Sequence, residues 1–162
     1  MILKTRILLI LIAASILSAI LAGVADEEPG VDVEPDVAVA EGAATLLLVE
    51  DDPLIRAWIS QTLKGQGHRL LLAEDGWSAA QLARKHEGPI DLLITDVLMP
   101  GLGGAELASA VRKIYPDIKA LFMSGHSRAQ VTEEGVPPDA ALLEKPFTPD
   151  KVVAMVNGLL AE

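Results

Sequence analysis

Four short apolar runs in this chain each end on residues able to do polar chemistry. "LLLV" (46–49) leads into Glu50, Asp51 and Asp52, and "LLIT" (92–95) into Asp96. "ALFM" (120–123) leads into Ser124 and Gly125, and "AALL" (140–143) into Glu144, Lys145 and Pro146. Crowded carboxylates repel one another and persist where they share a cation. Oxygen donors without imidazole or thiol suit a hard cation that keeps several waters, which points to Mg2+. Lys145 supplies a second, fixed positive charge. A cation, an ammonium and a small hydroxyl around one carboxylate can stabilise charge on phosphoryl oxygens. The central carboxylate, Asp96, would then be the nucleophile and form an acyl phosphate.

Taken singly, each of these residues has a plainer explanation. A lone Asp at a strand end is usually a turn former or a helix cap. Glu50 and Asp51 would also interact favourably with the N-terminal dipole of a following helix. A lone Lys145 is a solvated loop residue. Recurrence behind four separate apolar runs is what favours a site. The glycines of "PGLGG" (100–104) match no phosphate-cradling motif and serve as the turn beside Asp96. A phosphatase working through an aspartyl phosphate needs a second acid two residues after the nucleophile, and that position is Leu98. Trp58 and Trp77 fall on expected helices as packing or surface residues.

The elements that must position these groups are strands alternating with helices. Strands are expected at 45–49, 69–73, 91–95, 118–123 and 140–143. Helices are expected from Pro53 to about 66, Gly76 to about 87, Gly103 to Ile114, weakly at about 128–134, and from Pro149 to Leu160. Pro53 falls in a first turn, where its missing N–H costs little, and Gly135-Val136-Pro137-Pro138 closes the weak fourth helix. Five strands each followed by a helix imply a parallel sheet with right-handed crossovers. Such sheets place ligand chemistry at the carboxyl ends of the strands, near a topological switch point. No internal repeat is present.

Composition supports this architecture and excludes several functions. At 51% hydrophobic but only 3% aromatic, the core must be built from Leu, Ile, Val and Ala, as buried parallel sheets are. A length of 162 residues suits one domain. The net charge of −10, with no Lys/Arg cluster, argues against nucleic acid as a partner. Without cysteine there is no disulfide, thiol nucleophile or Cys-ligated zinc, and His68, His86 and His126 stand singly, without metal-site spacing.

The amino-terminal part differs in texture. Residues 7–25 carry no charge, with Lys4 and Arg6 before them and Asp26, Glu27 and Glu28 after. Roughly 20 apolar residues cross a hydrocarbon core of about 30 Å, so residues 1–25 are expected to hold a transmembrane helix. The competing reading is a signal segment cleaved after "LAGVA" (21–25), with Gly23 and Ala25 at the small-residue positions. Residues 26–44 are expected to be a disordered acidic linker, rich in acids and Pro and too poor in large apolar groups to offset ordering entropy. Residues 1–44 hold two basic against seven acidic side chains, which is half of the net charge.

The segments "LLLVEDDPLIR", "DLLITDVLMPGLGGAELA", "ALFMSGHS" and "LLEKPFTPDKV", in this order across 45–162, resemble the CheY-like receiver domain of two-component response regulators. The resemblance implies a flavodoxin-like, doubly wound five-stranded parallel sheet of order 2-1-3-4-5 with five helices. It also implies that Glu50, Asp51 and Asp96 hold Mg2+ together with the backbone carbonyl of Leu98, with Asp52 as a peripheral third acid. Asp96 matches the phosphoacceptor, Ser124 the hydroxyl that turns toward the phosphoryl group, and Lys145 the invariant lysine, in a cis bond to Pro146. Leu98 and His126 fall at positions that tune phosphoryl lifetime. Leu142 departs from the aromatic residue usual at the switch position, which argues against aromatic-rotamer signalling. The style of "FMSGHS" is similar to receivers attached to hybrid kinases.

The implied function is phosphorelay signalling. A sensor histidine kinase or histidine phosphotransfer protein donates to Asp96, and a partner-binding surface switches. With the sequence stopping at Glu162, the expectation is an output through a partner protein and not through an attached domain. The protein would be no turnover enzyme, though it assists its own phosphorylation and dephosphorylation. The alternative is a degenerate receiver that only binds protein; it predicts loss of the acids or the lysine. The charge pattern around 7–25 favours an outward-facing receiver by the positive-inside tendency, hence a secreted or periplasmic alternative. Kinase chemistry favours a cytoplasmic receiver tethered to the inner membrane, and that placement is preferred.

Overall fold

The computed structural model describes residues 43–161. In chain order they form β1 (Thr45–Val49), α1 (Pro53–Lys64), β2 (Arg69–Ala73), α2 (Gly76–Lys85) and β3 (Leu92–Asp96). There follow α3 (Gly104–Arg112), β4 (Lys119–Ser124), α4 (Arg128–Glu133), β5 (Ala141–Glu144) and α5 (Pro149–Ala161). The strands form one parallel sheet in the order β2-β1-β3-β4-β5. This is the expected doubly wound topology, with the order reversing beside β1.

Alternation along each strand sends side chains to two separate cores. Leu47, Val49, Leu71, Leu93 and Phe122 pack with Ala79, Ala80 and Ala83 of α2 and Leu107, Ala108 and Val111 of α3. Leu46, Leu48, Ile94, Leu121 and Met123 pack on the other face with Ile59 and Leu63 of α1 and Val152 and Val156 of α5. A sheet covered on both faces needs apolar residues at every position, which is why its strands read as continuous hydrophobic runs. Each fully buried Leu contributes about 2 kcal/mol of transfer free energy.

Helix starts are written locally. Asp52 caps α1, accepting from the N–H of Leu54 at 2.8 Å and of Ile55 at 3.2 Å, with Pro53 behind it. Asp75 and Ser78 form a capping box on α2. α3 has no side-chain cap; Gly103 and Gly104 instead let its first turn press on the backbone of β3. A Cβ on Gly104 would lie 2.2 Å from the Asp96 carbonyl oxygen. α4 spans six residues, of which only Val131 is buried. Gly135 follows it at φ +89°, and Arg128 ties the next loop down by donating to the carbonyls of Pro138 and Ala140.

Several boundaries differ from the sequence reading. β3, β4 and β5 each begin and end one residue later than expected, so Asp96, Ser124 and Glu144 are the last residues of their strands. Asp91 shows one cause. Its side chain accepts the Thr45 N–H at 2.7 Å, closing the edge of β1 before β3 begins. Helices α1, α2 and α3 end earlier than their apolar pattern suggests. The expected hydrophobic helix, and the expected linker apart from Ala43 and Ala44, lie outside the described residues. Among the described residues no helix is long and apolar enough to cross a membrane.

Candidate functional site

Register brings the chemistry-bearing residues to one edge. Val49 pairs with Thr95, so Glu50 and Asp96 emerge side by side from β1 and β3. Asp96 pairs with Met123 and Ser124 with Glu144, which sets Lys145 beyond the next strand end. The Lys145 N–H donates to the Ser124 carbonyl at 2.7 Å, and the Lys145–Pro146 bond is cis, as the family resemblance implied.

At the centre, the Lys145 ammonium donates to Glu50 Oε2 at 2.9 Å and to Asp96 Oδ2 at 2.5 Å. Glu50 is 1% exposed and Asp96 8%, while Asp51 faces solvent. One carboxylate oxygen from each of Glu50, Asp51 and Asp96 lies within 4.8 Å of the others. Three carboxylates thus gather at one place, two of them bonded to a single ammonium. Burial pushes the Glu50 carboxyl above its ordinary range, and the Asp96 charge adds to this, with Lys145 offsetting only part. For Lys145, burial pulls the ammonium down, but its bonds to Asp96 and Glu50 outweigh that and its pKa is raised. The lysine is held charged among excess negative charge. An all-oxygen donor set with uncompensated charge fits a hard divalent cation.

The remaining expected residues sit around this centre. The Leu98 N–H donates to Asp96 Oδ1 at 3.1 Å, orienting the carboxylate from the loop that follows β3. Ser124 is buried, and its hydroxyl accepts the His126 N–H at 2.9 Å. Asp52 stands outside the carboxylate group as the cap of α1. One residue was missed by the sequence reading. Arg56 Nη1 lies 2.5 Å from the Glu50 carbonyl oxygen and 3.4 Å from that of Asp51. The signal available was its position: a cation near the start of a helix opposes the helix dipole and needs another reason to be there.

Comparison with known proteins identifies the family. The family described as response regulator receiver domain matches residues 46–157. The chain belongs to the response regulator receiver domain family. This receiver is 36% identical to the response regulator receiver protein CpdR of Brucella abortus over 116 residues, covering 71% of this chain and 95% of CpdR. It is 33% identical to the sensor kinase CckA of the same organism over 141 residues, 86% of this chain but only 14% of that much longer protein. Among solved structures, a response regulator receiver protein from Sinorhizobium medicae superposes with a TM-score of 0.67 at 28% identity, covering 75% of this chain and 98% of that one. The function class follows from the family: this receiver belongs to phosphorelay signal transduction.

Proposed function

We propose that this receiver accepts a phosphoryl group on Asp96 from a histidine kinase or phosphotransfer protein. The observation that carries the reading is the Lys145 ammonium bridging Asp96 and Glu50 inside a group of three carboxylates. A carboxylate oxygen of Asp96 attacks phosphorus, the P–N bond to the donor imidazole breaks, and the nitrogen keeps the electron pair. The product is an acyl phosphate. Lys145 moves its contact from the Asp96 carboxylate to a phosphoryl oxygen, and Ser124 exchanges the His126 N–H for the phosphoryl group. Glu50, Asp51, Asp96 and the Leu98 carbonyl are the donors for Mg2+, which when bound supplies positive charge for the phosphoryl oxygens. Water attack on phosphorus returns Asp96, so the chain turns over its own modification and no separate substrate.

A protein donor is supported by the surface around the site. Of five large apolar side chains left exposed among the described residues, Leu54, Trp58, Trp77 and Leu98 stand on α1, α2 and the loop after Asp96. Leu54 is 80% exposed and Trp77 63%, next to a centre of buried charge. Apolar groups gathered at one edge mark a protein-binding surface. Because kinase donors require ATP, the receiver is placed in the cytoplasm, with residues 7–25 as its membrane tether; a topology reporter fused after Gly42 checks this, and periplasmic activity alone would refute it.

The phosphorylation reading is tested on the full chain with Mg2+ and acetyl phosphate, followed by mass spectrometry. A gain of one phosphoryl group is expected, absent without Mg2+ and absent in Asp96→Ala. No gain, or a gain that survives Asp96→Ala, would leave the chain as a receiver that only binds protein.

A further inference from the structure

We infer that Arg56 is a positioning residue that holds the two acids of the β1–α1 loop in place for the divalent cation. The inference rests on the Mg2+ reading of the preceding subsection. Arg56 lies in the second turn of α1, half-buried. Its guanidinium ignores the three carboxylates nearby. One Nη1 instead reaches the main-chain carbonyls of Glu50 and Asp51, at 2.5 and 3.4 Å. The carboxylates stay available while the backbone that carries them is held.

The loop needs such support because its own geometry is awkward. It must leave β1 with Glu50 buried toward Lys145, present Asp51 to solvent, and start a helix at Asp52, all in three residues. The other ties are the Asp52 cap, the Glu50 N–H to the Ala73 carbonyl at 3.3 Å, and the Asp52 N–H to Glu50 Oε1 at 3.3 Å. None of these satisfies the carbonyl of Glu50 or Asp51. Arg56 does so from one turn further along the helix that the loop begins. The α1 surface on which it sits is fixed by Ile59 and Leu63 in the core, so the guanidinium is anchored to the sheet it braces.

Charge and geometry make opposite predictions, which gives the test its sign. A positive side chain that acted only through its charge would weaken a nearby divalent cation, and its removal would tighten binding. A brace has the reverse effect, since loosening groups that orient metal donors typically costs 10- to 100-fold in affinity. The full chain, titrated with Mg2+ alone by calorimetry, is expected to lose about tenfold in affinity on Arg56→Gln. Arg56→Lys keeps the charge with a different reach and is expected to fall between that variant and the native chain. At saturating Mg2+ the rate of phosphoryl uptake from acetyl phosphate should return to the native value, separating cation binding from chemistry.

Unchanged or tighter Mg2+ binding in Arg56→Gln would overturn the inference. Should that variant fail to fold by circular dichroism, Arg56→Lys decides alone: affinity equal to native overturns the brace, weaker affinity supports it. A native chain that binds no Mg2+ defeats the metal reading itself, and the inference with it.

Discussion

The two halves of the carboxyl edge of this sheet are built differently. Around β1 and β3, the buried acids Glu50 and Asp96 are held from more than one side. Glu50 and Asp96 share Lys145, Asp96 also takes the Leu98 N–H, and the loop between β1 and α1 is tied by Asp52 and Arg56. Around β4, Ser124 is buried, but its hydroxyl holds the following loop through the single His126 N–H. α4 beyond it is one and a half turns long, anchored by Val131 and by Arg128 on two carbonyls. Under the proposed function, the difference gives the halves different tasks. A nucleophile and its cation donors gain from rigid placement, since misplacement costs rate steeply. A segment that must respond to a new phosphoryl group gains from being weakly held.

The sharpest way to break the contrast is to disturb the rigid half from below. Gly104→Ala would drive a methyl into the Asp96 carbonyl, so α3 or β3 must shift. A loss of about 3 kcal/mol in urea unfolding is expected, the upper end for overpacking, together with a fall in phosphoryl uptake. Native stability and native uptake would show that the loop after β3 is looser than its packing suggests.

In the weakly held half, Arg128→Ala removes both bonds to the loop before β5. A cost of about 1 kcal/mol is expected, with faster hydrogen exchange over 128–136. Amides of β1 and the β1–α1 loop should keep their protection. Equal acceleration in both halves would mean that they open as one unit.

The smallest effect belongs to the opposite end of the molecule. Burial and the Arg69 charge hold His86 below its ordinary pKa of 6.5. The folded state therefore binds this proton less readily than the unfolded chain. Stability is expected to fall as the pH drops through about 6.5 and to level off below the folded value. His86→Gln should flatten that part of the profile, measured as Tm against pH, without altering the contrast in exchange between the two halves. An unchanged profile would remove His86 as its source.

How far the site could be read in advance varied residue by residue. Asp96 stood out because a charge directly after a buried strand must emerge at the sheet edge. Ser124 and Lys145 followed from the same rule on other strands. The placement of strand ends was less accurate, since where a parallel ladder stops depends on its partners: Asp91 gives its side chain to Thr45, and β3 starts after it. Asp52, read as peripheral to the metal donors, caps the first turn of α1. Arg56 was passed over, because an arginine one turn into a helix is ordinary until the carbonyls it reaches are known.

By itself, the sequence determined the alternation of strands and helices, the two buried faces of the sheet, and the set of acids, hydroxyl and lysine delivered to one edge. Those properties are local: apolar runs, capping residues and breakers act within a few positions of the chain. Only the tertiary structure decided that Lys145 joins Glu50 across 95 positions and Asp96 across 49. It also decided that Gly104 must stay bare against Asp96, and that Arg56 spends its charge on carbonyls in place of carboxylates. The physical reason is that such partners are set by register and by the packing of helices on the sheet, where distances of a few ångströms select among many polar groups that the linear pattern presents as equals.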